Sequence, residues 1–321
     1  MTRGRRLLRL GLLVLALALI VLAVIDQWDQ LVVGIEKLDA ASLALAFVAV
    51  LAGLIAAMLG WRALLAGLGS PLPVGPAAKI YLLSQLGKYI PGSLWPVLAQ
   101  VELGRDYKVP RARSGVAAVA VLVVSLAAGI AVAMGCLAIA ASGAIKDYWW
   151  VLLAAPVAVA LLIPAVLQRL VALAMRLSRR GGDGITVSGA ALLKAVGWLL
   201  VMWFCFGVHV WLLARGLGAH HDHLLLLSTG GYALAWIAGF LFVIAPAGVG
   251  VREGALLIVL APALDRPETL ALALVSRMLM LAGDLLTSGV AVLAARGDNR
   301  EGVGLSDTDE PLPPTPKGGH A

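Results

Sequence analysis

Lys88, Glu102, His209, Arg252, Glu253, Arg277 and Asp284 stand inside otherwise apolar stretches of the chain. Charge in such surroundings is costly and needs a partner, a wet cavity or a ligand. Two of the cations sit beside helix breaks: Lys88 precedes Pro91-Gly92-Ser93, and Arg252 follows Gly248-Val249-Gly250. Ser93 can cap the helix after the first break, with Pro96 in its first turn. Gly248 and Gly250 permit a tight turn before the second. Each following half-helix aims its free N–H groups and positive end at the break, and that combination attracts anions. Lys88, Pro91, Gly92, Ser93, Gly248, Gly250, Arg252 and Glu253 therefore have the types and spacing to hold an anionic group such as a phosphate. The same residues also suit a scaffold, in which Arg252 and Glu253 pair with Glu102, Lys88 or each other. Arg277 and Asp284 are seven residues apart, which on a helix is two turns, about 10.5 Å, along one face. That face must point inward. It serves either a polar network across helices or, at Arg277, the path of a lipid headgroup. His209 lies mid-span beside aromatic residues and reads as a satisfied polar residue rather than a proton carrier.

Other chemistry is thinly represented. His220-His221-Asp222-His223 is the one metal-like cluster, but adjacent histidines in a short loop do not supply fixed geometry and a supporting shell, so no metal is expected. The acids of Asp26–Asp39 are too scattered to suggest a glycosyltransferase. There is no Ser/His/Asp arrangement, P-loop or nucleotide-binding glycine fingerprint. The expectation is a protein that is not an enzyme and needs no cofactor. Cys136 and Cys205 both lie in apolar stretches and form neither a disulfide framework nor a zinc site.

The elements that must position these residues follow from composition. Of 321 residues, 61% are apolar and 13% charged. A soluble domain runs about 45–50% apolar and about 25% charged. A water-soluble monomer is excluded, and an all-α polytopic membrane protein is implied. Six full spans are marked by Leu10–Ile25, Ala40–Trp61, Ser114–Ile145, Tyr148–Gln168, Ala195–Ala214 and Thr269–Ala295. Ile80–Val101 and Leu224–Leu264 are apolar but broken by Pro and Gly. A break facing lipid would leave backbone groups unpaired, so both read as re-entrant hairpins. The chain then divides into a basic N-terminus at 1–9, a transmembrane domain at 10–295 and a disordered tail at 296–321. The first span reads as an uncleaved anchor, and no soluble domain fits anywhere.

The basic residues give an orientation. In this arrangement one side holds 17 of the 25 Lys and Arg; the other holds Lys37, Lys146, Arg215 and Arg266, together with most of the loop acids. The positive-inside rule then places both termini in the cytoplasm. The net charge of +7 comes from residues at the ends of apolar runs, so nucleic acid is not an expected partner.

An internal repeat is also legible. Leu64-Leu65-Ala66-Gly67-Leu68-Gly69 is echoed by Leu212-Leu213-Ala214-Arg215-Gly216-Leu217-Gly218; each is followed by a broken apolar stretch, a later Pro (Pro110, Pro267) and a span. Two halves, about 40–145 and 195–295, emerge with opposite orientation, and inverted repeats with broken helices place substrates where the breaks meet. Ser125, Gly129 and Ala133 form a small-residue stripe that can seat a neighbouring helix.

Two motifs carry a resemblance. Ser84-Gln85-Leu86-Gly87-Lys88-Tyr89-Ile90-Pro91-Gly92-Ser93-Leu94-Trp95-Pro96 and Pro246-Ala247-Gly248-Val249-Gly250-Val251-Arg252-Glu253 resemble the lysylphosphatidylglycerol synthase transmembrane (flippase-like) family over roughly residues 10–295. The second motif contains each element of the family pattern Pro-x-Gly-x-Gly-x-Arg-Glu. In the first, Trp95 and Pro96 stand where many members carry a glycine and then an acid. The resemblance implies a membrane protein that moves a phospholipid or a lipid-linked sugar with a phosphate headgroup. The alternative is a non-transporting scaffold for a glycosyltransferase or lipid-modifying enzyme. Synthase activity, which belongs to a separate soluble domain in bifunctional members, is not implied.

Overall fold

The computed structural model describes residues 32, 36–89, 95–140, 160, 162–177, 187–241 and 250–303. The described residues are helical and contain no strand. Leu10–Ile25, most of Tyr148–Gln168, Pro91, Gly92, Ser93 and Gly248 lie outside them.

The first repeat half contains α1 (Ala40–Gly67), α2 (Val74–Gln85) with a 3-10 turn at Leu86–Tyr89, α3 (Trp95–Gly104) and α4 (Arg111–Ala140). A linking helix, α5 (Pro164–Leu177), follows. The second half contains α6 (Gly189–Gly216), α7 (Leu224–Leu241), α8 (Val251–Leu260) and α9 (Arg266–Val303). Five of these are long and apolar enough to cross a membrane: α1, α4, α6, α7 and Arg266–Ala294 of α9. At about 1.5 Å per residue, α2, α3 and α8 span well under the about 30 Å hydrocarbon core, as hairpin arms should. The second hairpin is asymmetric. Its arm α7 has 18 residues, while its arm α8 has 10. The last helix runs on to Val303, past the boundary expected at residue 295, because each added residue gains a backbone bond once a helix exists.

The two halves repeat in detail. Both α1 and α6 have 28 residues. Asp39 caps α1 by accepting from the Ser42 amide, and Ser188 caps α6 by accepting from the Ala191 amide. The Ser42 hydroxyl and amide together hold the Asp39 carboxyl below its usual range. At the far ends Gly69 and Gly218 take φ of 79° and 90°. Each closes the same double turn: Ser70 N–H bonds Leu65 O and Gly69 N–H bonds Ala66 O, as Ala219 bonds Ala214 and Gly218 bonds Arg215. A positive φ there favours glycine, so the sequence echo is a stop signal written twice.

The relation between the halves is inverted. A Cβ added at Gly53 would strike the Phe206 ring, one at Gly67 would strike Ala191, and one at Gly216 would strike Leu38. Contacts that advance along α1 thus retreat along α6, and the two helices are antiparallel. The other helices pack around them in matched fashion: α2 lies on α9 as α7 lies on α4, and each short arm lies beside its own closing span. Between membrane helices no hydrophobic drive exists, so close approach and interhelical hydrogen bonds do the holding. Gly207 lets Thr229 of α7 press on α6, and Gly129 receives the Trp203 ring, whose Nε1 donates to Ser125 O at 3.3 Å. The small-residue stripe of α4 is therefore filled from within the chain.

Polar connectors segregate to two ends. At one end Lys37 pairs with Glu268 at 3.1 Å, near Asp39 and Asp265. At the other, Arg113 donates to Gly69 O at 2.8 Å, Arg62 to Leu72 O at 2.7 Å, and Lys79 lies over the Tyr107 ring. Of the basic stretches that the sequence assigns to one side, Arg62–Lys79 and Arg105–Arg113 come together in space; the basic N-terminus lies outside the described residues.

Candidate functional site

The closing helix α9 is the bar that joins the two hairpins. Its apolar periodicity buries one face, and both of its charged side chains within the span use that face. Asp284 is 1% exposed. It accepts from Lys88 Nζ and from the Tyr89 hydroxyl, each at 2.6 Å. Both donors belong to the 3-10 turn that ends the first arm. The turn sits there because Gly87 has no side chain: a Cβ would stand 3.0 Å from the Pro96 nitrogen and from the Trp95 carbonyl carbon. One turn deeper, Ser288 Oγ donates to Leu82 O at 3.0 Å and fixes the same arm to α9.

Two turns toward the other end, Arg277 meets the second hairpin. Its guanidinium lies 3.1 Å from Glu253 Oε1. The other oxygen of Glu253 accepts from the Gly250 amide at 2.7 Å. Gly250 has φ of 84°, a conformation that favours glycine. Glu253 thus closes the turn that starts α8 and hands its second oxygen to α9. Its carboxylate occupies part of the anion-attracting helix end that the sequence offers to a ligand.

Arg252 is different. Its stem packs on Gly239, where a Cβ would come within 2.6 Å of Arg252 Cγ. Its Nε is enclosed and has no hydrogen-bond partner. Among the described residues no carboxylate lies within salt-bridge distance of it. Tyr89, Tyr232, Glu253 and Arg277 are its electrostatic neighbours. Among the described residues of this region three cations (Lys88, Arg252, Arg277) face two carboxylates (Asp284, Glu253), which leaves one positive charge. Neither break segment, 90–94 or 242–249, contains an ionisable residue to cancel it.

The structure therefore brings Lys88, Gly250, Arg252, Glu253, Arg277 and Asp284 to one region between the described ends of the hairpin arms and α9. Pro91, Gly92, Ser93 and Gly248 are outside the described residues. Glu102 does not join the group: it pairs with Arg105 at 3.1 Å on an exposed face. Tyr89 and Tyr232 are the members that sequence reasoning passed over. Tyr89 stood beside Lys88, and only its partner on a distant helix reveals its use. His209 is buried and its Nε2 lies 2.8 Å from Ser276 Oγ, with the Tyr232 and Phe206 rings edge-on to it. His221 Nδ1 accepts from the His223 amide at 3.1 Å, so that nitrogen holds the loop. No group of three or more metal-ligating side chains occurs among the described residues.

A family model described as the lysylphosphatidylglycerol synthase TM region matches residues 8–287. The chain belongs to that family. The match runs through both repeat halves and both hairpins, so the charged region just described lies inside the family's own fold. No curated protein matches the chain. Membership in this transmembrane family agrees with the five helices long and apolar enough to cross, and the protein is a multi-pass membrane protein.

Proposed function

We propose that this protein moves an anionic lipid, a phospholipid or a lipid-linked sugar, between the leaflets of a bacterial plasma membrane. The phosphate engages at the meeting of the two hairpins. The observation that carries this reading is the surplus cation: the Nε of Arg252 is enclosed and unpartnered, and among the described residues no carboxylate lies within salt-bridge distance of it. An isolated charge at membrane depth costs roughly 2.5–3.5 kcal/mol on insertion scales, so a retained one implies a ligand that offsets it. Lys88 is one-third exposed and is the second candidate contact; it can exchange Asp284 for a phosphate oxygen as the ligand arrives. Arg277 and Glu253 set the turn, and α9 bonds one arm of each hairpin. The basic end, with Arg62, Lys79, Arg113 and Lys194, faces the cytoplasm in this reading, as do both termini. The reading involves no chemical step, and the protein is proposed as a transporter, not an enzyme.

The rival reading is an accessory subunit that scaffolds a glycosyltransferase. The ion pairs Lys88–Asp284 and Arg277–Glu253 favour it in part, since they already tie both hairpins to α9. Reconstitution separates the two. Purified protein in liposomes should move fluorescent phosphatidylglycerol from the inner to the outer leaflet faster than protein-free vesicles do. It should leave a diacylglycerol analogue, which lacks phosphate, at the protein-free rate. Equal rates with and without protein for phosphatidylglycerol and for polyprenyl-phosphate lipids would support the scaffold.

A further inference from the structure

A second site lies away from the hairpins, at the basic end of the molecule. A cavity of about 420 Å³ opens where the last turns of α1 meet the first turns of α6, roofed by Pro71 and Leu72. That volume falls in the range of about 300–1,000 Å³ usual for ligand pockets. Arg62 and Lys194 stand in its wall, and none of the described residues that line it is acidic. The Nε of Arg62 is committed to Leu72 O at 2.7 Å, which fixes the guanidinium at the rim. Its terminal nitrogens have no partner among the described residues. Lys194 is exposed and likewise has none there.

The wall has the polarity of a lipid. On α6, Lys194, Trp198 and Val201 follow each other at helical spacing, from rim toward the membrane interior. On α1, Arg62, Leu59 and Ile55 do the same in the opposite chain direction. Val201 and Ile55 are each 45% exposed. Charge thus lies at the rim, an indole at interfacial depth and open apolar surface below. An indole of this kind favours the headgroup region. Basic pockets between helices at a membrane surface suit acidic headgroups.

We propose that this crevice binds one acidic glycerophospholipid, with its phosphate between Arg62 and Lys194 and its acyl chains along Ile55 and Val201. The site is separate from the hairpin region and does not depend on the function proposed for it.

Native mass spectrometry of protein purified with phosphatidylglycerol or with phosphatidylcholine tests this. The parent should retain one phosphatidylglycerol that the Arg62→Gln/Lys194→Gln variant retains at least fivefold less, and phosphatidylcholine should not replace it. Ala66→Leu, which fills the cavity without changing charge, should lower retention as well. Gly135→Ala, where an added Cβ meets nothing within 4 Å and which lies outside both sites, should leave it at the parental level. Lys194→Gln alone, at an exposed position, carries the test should the double variant not be recovered. Parental retention in Lys194→Gln and Ala66→Leu, or equal retention of phosphatidylcholine, overturns the site. Displacement of the lipid by millimolar inorganic phosphate would assign the cations to a soluble anion and overturns it too.

Discussion

Replacing Lys88 by Gln isolates the junction between the first hairpin and α9. Asp284, whose side chain is 2% exposed, would lose its cation and keep only the Tyr89 hydroxyl. Removing one partner of a buried pair costs about 3–5 kcal/mol, because the remaining charge is stranded. The surviving Tyr89 bond and the one-third exposure of Lys88 put this case at the low end, about 3 kcal/mol. Asp284→Asn strands Lys88 instead. An ammonium that already reaches solvent loses less, about 1–2 kcal/mol, the scale of a hydrogen bond to a charged group. In the double variant neither charge of the pair remains to be stranded, so its cost should stay at about 1–2 kcal/mol rather than the additive 4–5. At roughly 2–4 °C per kcal/mol for a chain of this size class, Lys88→Gln should melt roughly 6–12 °C below the parent, and the double variant should recover much of that loss. Thermal melts of detergent-purified protein, followed by size-exclusion fluorescence, give the comparison. A double variant no more stable than Lys88→Gln would refute the ion pair as the coupling between hairpin and bar.

Gly207→Ala should destabilise by about 1–3 kcal/mol, the usual cost of overpacking, because its Cβ would overlap Thr229 Oγ1 and stand 2.8 Å from the Thr229 backbone. Gly135→Ala has nothing within 4 Å and should be neutral or gain up to about 1 kcal/mol from helix propensity; the same melting assay reads both. Ser276→Ala removes the 2.8 Å partner of a fully buried His209 and should cost about 1–3 kcal/mol, while Ser276→Thr, which keeps the hydroxyl, should restore most of it. With Cys136 and Cys205 replaced, single cysteines at Ser70 and Arg111 should react with a membrane-impermeant maleimide only after cells are opened, and those at Asp222 and Asp265 in intact cells. Labelling of position 111 in intact cells would overturn the sidedness.

What the sequence made legible was largely local. The stop signals at Gly69 and Gly218 act within one turn, so a repeated motif announces a repeated structure. The end of the second break is local too, since Gly250, at φ of 84°, opens α8. The inward face of α9 followed from the seven-residue spacing of Arg277 and Asp284. Their partners did not follow, because Lys88 and Asp284 are brought together only by the inverted packing of the halves. Charge pairing among five ionisable groups has several solutions in sequence and one in space. Glu253 illustrates the difference. Its place after Gly250 suggested a neighbour for Arg252, yet it bonds the Gly250 amide and Arg277. The crevice at Arg62 and Lys194 was not visible at all, since two lone basic residues at span ends look like ordinary interfacial anchors until α1 and α6 are set side by side.

The central claim is that Arg252 is the unbalanced cation that receives a phosphate between the hairpins. Its most direct test is the rate of phosphatidylglycerol translocation in liposomes containing equal amounts of parent, Arg252→Gln or Arg252→Lys protein. Neutralising Arg252 removes a charge with no carboxylate within salt-bridge distance among the described residues, so Arg252→Gln should fold and accumulate at least as well as the parent. It should also lose at least tenfold in rate, a change of about 1.4 kcal/mol in the barrier, with Arg252→Lys in between. Parental translocation by Arg252→Gln would contradict the claim, as would loss of the variant from the membrane, which would make the cation a structural partner instead.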